Sequence, residues 1–414
     1  MSKSPAPTAS IIVSSCERRG HLERCLLSLA NQKLRENNAF EVIVADDGSR
    51  DGTHEMVRAL AGRVSYQLSL VTQENEGFRK SRIVNKAISL ARGSYVLLTD
   101  GDCIFPADHV EKQLKYRQRN TAWVSDCIRL DEELSGKITR WSIADGTWIQ
   151  SVPKQLPSSQ GTRYLKDRLY QFISHREKPK LVGNNVGVWL ADLEKINGLD
   201  ESFVGWGCED DDLGLRLRAA GVKVKTNMWQ TFGYHLWHPV DATTPATWRE
   251  GDNISYYQRE IVLTRCLNGV VRTQLSDLNF RVTSAAKHEA LSSLLQQSFT
   301  RKSPTDIDIE ITLGDCETKA NRDAEKRVQV NFPDESNAEQ AYPPHLVLTL
   351  PKFQDTIATW GHSKPALATE RTSALRESQC FWLVNKMKEA ILGIGFVEQQ
   401  ASQRSSGGFK SRVA

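Results

Sequence analysis

The first 130 residues alternate short apolar runs with helical stripes, and few folds can accommodate this alternation. Three of the runs are continuous, without polar residues at every second position; they are residues 10–13, 42–45 and 95–98. Residues 66–71, between the second and the last of these, are predicted as the third strand of four, although Gln67 and Ser69 interrupt their apolar residues. Between them, apolar residues recur at the spacing of one helix face. Continuous strands separated by helices predict a mostly parallel sheet that is covered by helices on both faces, which is an α/β fold.

Two of the predicted helices have clear apolar stripes. One carries Leu22, Cys25, Leu26 and Leu29, and the other spans residues 83–91. Gly93 follows the second stripe, and we interpret it as the glycine that ends this helix. By contrast, residues 131–180 contain three prolines and no clear period, which predicts an irregular segment, either a mobile loop over a site or a long connection.

Acidic residues follow two of the predicted strands. Asp46 and Asp47 come after the second run, and Asp100 and Asp102 come after the fourth. Ligands of such sheets bind beyond the carboxyl ends of the strands. A divalent cation held by an Asp-x-Asp pair could bind the phosphates of a nucleotide. Asp46 or Asp47 could accept a uracil imide or a ribose hydroxyl; the alternative is a turn that caps the next helix.

A third acidic element lies further along the chain. Glu209 begins a run of four carboxylates, which follows Gly-Trp-Gly-Cys and precedes a helical pattern. Because a helix N-terminus favours anions, an acidic helix cap is the alternative to a functional site. His235 and His238 follow this helix, and either imidazole could supply a metal ligand.

The order of these motifs resembles family 2 glycosyltransferases of the GT-A fold. The motifs are Ser-Ile-Ile-Val from residue 10, Val-Ala-Asp-Asp-Gly-Ser from 44, Gln-Glu-Asn-Glu-Gly-Phe from 73 and Leu-Thr-Asp-Gly-Asp-Cys from 98. The second half, with Gly-Trp-Gly-x-Glu-Asp from 205, is similar to β-1,4-galactosyltransferases, polypeptide N-acetylgalactosaminyltransferases and bacterial chondroitin polymerases. The resemblance covers residues 10–269.

The resemblance implies roles for particular residues. The implied donor nucleotide-binding residues are Asp46, Asp47, Asp100 and Asp102. Asp102 and His235 would hold a divalent metal, Mn²⁺ or Mg²⁺, with His238 as the competitor for the second position. Asp210 would be the general base, beside an acceptor-binding Glu209, and Trp206 would be the platform for the acceptor sugar. Cys208 replaces the usual Gly, and the donor-binding cation stays open among Arg79, Lys80 and Arg82.

The function implied is inverting, metal-dependent transfer of a sugar from a nucleotide sugar, first of all a UDP-sugar, to a glycan or another hydroxyl acceptor. The alternative is a catalytically weak nucleotide-sugar-binding protein with a C-terminal interaction module. A nucleotidyltransferase ranks last, because it would need a Gly-rich loop after the first strand and residues 14–20 contain one Gly.

The domain organisation follows from these patterns. We predict a GT-A domain over residues 1–270 and a small α/β appendage of unknown role over 271–400. Residues 401–414 are rich in Ser, Gly, Arg and Lys, which predicts a disordered tail.

Composition excludes other classes of partner. The net charge of +4 comes without a dense basic stripe, so we expect no nucleic acid partner. We find no apolar run that could span a bilayer and no signal-peptide core, which predicts a cytoplasmic protein and leaves peripheral membrane contact open. Eight cysteines without Cys-x-x-Cys spacing argue against structural zinc and suggest reduced thiols.

Overall fold

The computed structural model describes residues 6–35, 38–158, 160–173, 175, 178–240, 244–247, 250–284, 286–299, 307–314, 324, 326–332, 344, 346–349 and 368–392. The chain divides into two compact units, the first of which comprises Met1–Ile254 and Thr264–Arg272. The second comprises Ser255–Leu263 and Thr273–Ala414. The assignment of a catalytic domain and an appendage to these regions stays a prediction.

The first unit contains ten described strands and ten described helices. Its strands are β1 (Ala9–Ser15), β2 (Phe40–Asp46), β3 (Gln67–Thr72), β4 (Tyr95–Asp100), β5 (Cys103–Ile104), β6 (Thr121–Val124), β7 (Cys127–Arg129), β8 (Asn185–Trp189), β9 (Lys223–Thr226) and β10 (Gly233–His235). Its helices are α1 (Arg19–Ala30), α2 (Thr53–Ala61), α3 (Lys80–Leu90), α4 (His109–Tyr116), α5 (Glu132–Lys137), α6 (Arg140–Ala144), α7 (Gln155–Ser158), α8 (Gly161–Phe172), α9 (Leu190–Lys195) and α10 (Glu209–Ala219).

Seven of these described strands form the central sheet, in the order β3-β2-β1-β4-β8-β6-β9. Every neighbouring pair is parallel except those of β8, which runs antiparallel to β4 and to β6. This mixed but mostly parallel sheet confirms the predicted α/β class.

Both faces of the central sheet are apolar, which explains the continuous runs in the sequence. Ile11 and Val13 of β1 pack with the buried face of α1, whereas Ile12 packs with the layer that contains α3 and α10. Successive side chains of a strand point to opposite faces, so a sheet covered on both sides needs apolar residues at every position.

Gly93 has a different role from the one predicted. Helix α3 ends at Leu90, and its C-cap residue, Ala91, has an extended backbone conformation. A Cβ at Gly93 would lie 2.3 Å from the backbone carbon of Ala9 and 2.5 Å from Ser10 N. Gly93 therefore permits close approach to β1, and the interpretation as a helix-ending glycine is wrong.

Residues 131–180 are largely helical, so the prediction of an irregular segment is wrong. They contain α5, α6, α7 and α8. Local signals set two of these starts: Asp131 accepts from Leu134 N, and Thr139 forms a capping box with Ser142. These helices are short, and three of the four are too brief to show a period.

A second sheet of three short described strands, in the order β5-β10-β7, brings together distant parts of the first unit. β10 runs antiparallel to β5 and parallel to β7. Each strand has only two or three residues, which is too short for a recognisable sequence pattern.

The second unit contains a parallel sheet of four described strands, in the order β11-β12-β13-β14. These are β11 (Phe280–Ser284), β12 (Ile309–Leu313), β13 (Lys326–Asn331) and β14 (Leu346–Thr349), with helices α11 (Ile254–Tyr257), α12 (Glu289–Ser298) and α13 (Ala368–Leu392). Ile309, Glu310 and Ile311 alternate in polarity, yet all three are buried, and Glu310 pairs with Arg281 at 3.7 Å.

Among the described residues, no helix is both long and apolar enough to cross a membrane. The predicted disordered tail at residues 401–414 lies outside the described residues.

Candidate active site

The pairing of β5 with β10 brings the second aspartate of Asp-Gly-Asp close to the histidine motif. Cys103 lies opposite His235 in this pairing, and Leu236 N donates to the carbonyl of Asp102 at 2.8 Å. The two motifs are far apart in the sequence, yet backbone hydrogen bonds fix Asp102 beside His235.

Asp102, His235 and His238 form what we call the histidine cluster. His235 Nε2 lies 3.4 Å from Asp102 Oδ1, and His238 Nε2 lies 3.1 Å from Asp102 Oδ2. One nitrogen or oxygen atom of each residue lies within 4.8 Å of the others, which is close enough for all three to contact one ion. A carboxylate with two imidazoles suits divalent first-row metals.

The histidine cluster favours an ionised carboxylate. Burial alone would raise the pKa of Asp102, but the hydrogen bond with His238 and the charges of both histidines outweigh burial and lower that pKa to about 2. The same hydrogen bond with Asp102 raises the pKa of His238.

Lys80, Asp100, Glu209 and Asp210 form a second group, which we call the lysine cluster. Lys80 Nζ lies 2.9 Å from Asp100 Oδ1, which also accepts from Ser14 Oγ at 2.7 Å. Burial opposes the charge of Lys80, but its three carboxylate neighbours outweigh burial and raise its pKa well above its usual range. Asp100 thus contacts the lysine, while Asp102, two residues later, contacts the histidines.

Asp210 is positioned by a glycine. Its Oδ2 accepts a hydrogen bond from Gly183 N at 2.8 Å. A Cβ at position 183 would lie 2.3 Å from Asp210 Oδ1, so only glycine allows this contact without displacement. Burial raises the pKa of Asp210 and Lys80 lowers it, with a net increase. Burial and the charge of Asp210 also raise the pKa of Glu209, to about 7.

The predicted acidic helix is α10, which begins at Glu209. Its other two carboxylates have cationic partners: Asp211 pairs with Lys180 at 2.8 Å, and buried Asp212 pairs with buried Arg216 at 2.6 Å. Arg216 also donates to the carbonyl oxygens of Ile196 and Gly198, at 2.9 and 2.8 Å. The helix-cap alternative therefore describes the position of the acidic run, but the run also has cationic partners: Lys80 and Lys180 outside the helix, and Arg216 within it.

Asp46 and Asp47 are both buried and already bonded. Asp46 Oδ2 accepts from Ser49 N at 3.0 Å and lies 2.8 Å from His54 Nε2, while Asp46 Oδ1 has no hydrogen-bond partner among the described residues. Asp47 accepts from Gln73 Nε2 at 2.6 Å and from Arg79 N at 2.7 Å.

The Asp46 contacts form the predicted turn, but this turn does not cap helix α2. Asp51 accepts from Thr53 N at the start of that helix, at 3.1 Å. Contact of Asp46 or Asp47 with the nucleoside stays a prediction.

Trp206 lies in a loop with unusual backbone angles. Gly205, Gly207 and Cys208 all have positive φ, of 79°, 99° and 72°. Glycine adopts such angles readily, whereas a residue with a Cβ does so at a cost, so Cys208 occupies a position suited to the usual Gly. Trp206 is 39% exposed, and its role as a platform for the acceptor sugar stays a prediction.

The thiols in these motifs are not activated. Burial, followed by the charges of Asp211 and Glu209, raises the pKa of Cys208 to about 12, and burial raises the pKa of Cys103 well above its usual range. This agrees with their interpretation as packing residues. Seven cysteines within the described part of the chain are free of disulfides.

Comparison with known proteins finds two family matches. Residues 10–180 match glycosyl transferase family 2, and residues 165–238 match the N-terminal domain of galactosyltransferase. The family 2 match by itself spans less than half of the 414 residues. Residues 10–180 thus match a family 2 glycosyltransferase domain. The predicted resemblance is thereby confirmed, and the mostly parallel central sheet agrees with the predicted α/β fold class.

The relatives of this glycosyltransferase domain are distant. A validoxylamine A glucosyltransferase of Streptomyces hygroscopicus subsp. limoneus is 28% identical over 236 residues, which cover 53% of this chain and 49% of the relative. A chondroitin synthase of Escherichia coli is 25% identical over 228 residues, covering 51% of this chain and 32% of that protein. The chain thus spans about half or less of the length of these relatives.

A solved structure of a mannosyltransferase from Pyrobaculum calidifontis, in complex with GDP-Man and Mn²⁺, is 18% identical. The match covers 62% of this chain and 65% of that chain, with a TM-score of 0.39.

The sequence singles out neither Lys80 nor Gly183 within the matched region. Lys80 was one of three open candidates for a cation, and its contacts with the acidic motifs single it out. Gly183 has no local sequence signal, because its importance depends on a contact with Asp210 across 27 residues. His238 joins the metal candidates beside His235, a choice that the sequence left open.

Proposed function

We propose that this chain transfers a sugar from a nucleotide sugar, first of all a UDP-sugar, to a hydroxyl group of a glycan or another acceptor, with inversion at the anomeric carbon. The observation that carries the proposal is the position of the histidine cluster and the lysine cluster, which meet where β4 ends. The family match supports the reaction class.

Asp102, His235 and His238 would hold a divalent cation, Mn²⁺ or Mg²⁺. Their ligand atoms fit one ion, and the lowered pKa of Asp102 keeps its carboxylate ionised to accept it. When bound, such a cation supplies charge neutralisation for a departing diphosphate.

Asp210 is the proposed general base. As the acceptor oxygen forms its bond to the anomeric carbon, its proton passes to an Asp210 carboxylate oxygen, and the bond between that carbon and the diphosphate oxygen breaks. Attack on the face opposite the leaving group inverts the configuration. The contact from Gly183 orients the carboxylate, and its raised pKa makes it a better proton acceptor than an exposed aspartate.

Glu209 and Trp206 are the proposed acceptor-binding residues. Trp206 offers an apolar ring face to a sugar, and Glu209 precedes the base at the start of α10. The names of the relatives, a glucosyltransferase and a chondroitin synthase, support a hydroxyl acceptor such as a glycan.

Calorimetric titration of UDP, with Mn²⁺ and with EDTA, tests the donor site. We expect binding by the wild type that requires the metal and that Asp102→Asn abolishes. Asp108→Asn is the matched control, because Asp108 is exposed and pairs with Lys112 on helix α4. No binding of UDP with any metal would redirect the proposal to another nucleotide. Binding without transfer to any acceptor would favour the catalytically weak alternative.

A further inference from the structure

Helix α8 presents its apolar side outward. Leu165, Leu169, Phe172 and the adjoining Ile173 are 67%, 57%, 87% and 56% exposed. Their spacing places them on one face of the helix, and no side chain of α8 is buried. An ordinary surface helix has the reverse arrangement, with the apolar face toward the core.

The opposite side of α8 faces the protein and is polar. Tyr164 stacks on Trp229 with ring centroids 5.5 Å apart, and Arg163 forms an ion pair with Asp126. Asp126 in turn accepts from Asn184 Nδ2 at 3.3 Å, beside the Gly183 that holds Asp210. The inverted orientation is therefore fixed by specific contacts, and the exposed stripe belongs to a helix anchored next to the active site.

Cationic residues border the stripe on both sides. At 100° per residue, Lys166 follows one edge of the stripe and Arg168 the other, and both are exposed. The one carboxylate of α8, Asp167, lies on the inward side and is partly buried. Trp229, which stacks on the helix, is itself 68% exposed. An apolar stripe with basic borders and a nearby tryptophan is the pattern of a helix that lies in a membrane interface.

We propose that helix α8 docks this protein on an anionic lipid surface. Leu165, Leu169 and Phe172 would enter the boundary between headgroups and acyl chains, while Lys166 and Arg168 contact the lipid phosphates. Twelve residues of helix span about 18 Å, too short to cross a bilayer, so α8 lies parallel to the surface.

Charge argues against a second copy of this chain as the occupant. Two α8 helices packed stripe to stripe would bring their cationic borders together, which is unfavourable, whereas anionic lipid neutralises them. The inference concerns binding alone and does not depend on the proposed transfer reaction.

Sedimentation with lipid vesicles tests the proposal on the full chain. One set contains phosphatidylcholine alone, and the other contains about 30 mol% phosphatidylglycerol. We expect the wild type to bind the anionic vesicles, and Leu165→Glu/Leu169→Glu to bind them at least about tenfold more weakly. Leu90→Glu is the matched control, because Leu90 is 54% exposed at the end of α3, and it should bind like the wild type.

A second variant separates charge from apolar contact. Lys166→Glu/Arg168→Glu keeps the apolar stripe and should lose the preference for anionic over neutral vesicles. Circular dichroism of every variant checks folding. Equal binding of wild type and Leu165→Glu/Leu169→Glu would overturn the proposal. So would a wild type that ignores vesicles but forms a dimer, seen by light scattering, that the double glutamate variant dissociates.

Discussion

The histidine cluster and the lysine cluster meet at the end of β4, yet they treat their carboxylates in opposite ways. In the histidine cluster, two imidazoles surround one carboxylate, and the pKa of Asp102 falls to about 2. In the lysine cluster, one ammonium is shared by three carboxylates, and burial is the largest influence on the pKa of Glu209 and of Asp210. The pKa of Glu209 rises to about 7, and that of Asp210 rises as well.

The difference suggests a division of labour. A carboxylate that stays ionised is suited to bind a cation, whereas a buried carboxylate with a raised pKa is suited to accept a proton. Asp100 and Asp102 belong to one short motif but fall on opposite sides of this division, because Asp100 turns toward Lys80.

The largest effect is expected at Asp210. Asp210→Asn removes the proton acceptor and should lower kcat about a thousandfold, within the range of general-base contributions. Because Asp210 is not in the histidine cluster, binding of UDP with Mn²⁺ should persist. Gly183→Ala should act in the same direction through displacement of the carboxylate. Transfer assays and calorimetry on the same preparations measure both properties.

Asp211→Asn is the matched control for Asp210. It lies on the same turn of α10 but pairs with Lys180, away from Lys80. We expect its kcat to stay within a few-fold of the wild type. Near-normal transfer by Asp210→Asn would show that the base is another residue and would remove one side of the comparison.

The next effect concerns the histidine cluster. If both imidazoles bind the metal, His235→Ala and His238→Ala should each weaken Mn²⁺ binding by at least the roughly 10- to 100-fold that loss of an outer-shell partner costs. His21→Ala is the control: its Nε2 lies 3.0 Å from the carbonyl of Trp237, and its ring is 6.1 Å from that of His238. A loss confined to one of the two variants would reduce the site to two protein ligands.

These clusters also show how far the sequence could predict the structure. The buried strands β1, β2 and β4 and the acidic residues at their ends follow from local patterns, since a strand buried on both faces is continuously apolar. The start of α10 also follows from a local pattern, because its acidic run directly precedes residues with helical spacing. These elements are determined within a few residues of the chain.

The rest depends on contacts between distant residues. The pairing of β5 with β10, which assembles the histidine cluster, involves strands of two and three residues. The Gly183 contact with Asp210 and the choice of Lys80 among three basic neighbours leave no local pattern either. The prediction for the segment that contains helix α8 is wrong for another reason. The apolar stripe of α8 is present in the sequence, but three prolines in residues 131–180 favoured an irregular segment.

Lys80→Met should change the pH dependence of transfer. Burial raises the pKa of Asp210, and the positive charge of Lys80 opposes that increase. Without Lys80 the pKa of Asp210 rises further, so the base becomes protonated at higher pH. We expect the acid limb of the kcat/KM profile to move upward by on the order of one pH unit. Lys112→Met, on the exposed side of α4, should leave the profile unchanged. A downward shift would contradict the proposed coupling.

The smallest expected effect is on stability, at Glu209. Its pKa is raised from 4.5 to about 7 by burial and by Asp210, so between these pH values the folded state binds more protons than the unfolded state. Stability therefore falls as pH rises through this window. Glu209→Gln lacks this loss and should gain on the order of 1–3 kcal/mol over the wild type between pH 4.5 and pH 8.

Thermal unfolding across this pH range, in EDTA so that metal binding does not contribute, measures the gain at Glu209. Glu133→Gln is the control, since Glu133 is 81% exposed and pairs with Lys137 on α5. It should follow the wild type at every pH. If Glu209→Gln loses stability relative to the wild type as pH rises, Lys80 must stabilise the ionised form of Glu209 more than burial penalises it. The lysine cluster would then hold its carboxylates ionised, as the histidine cluster does, and the contrast between the two would disappear.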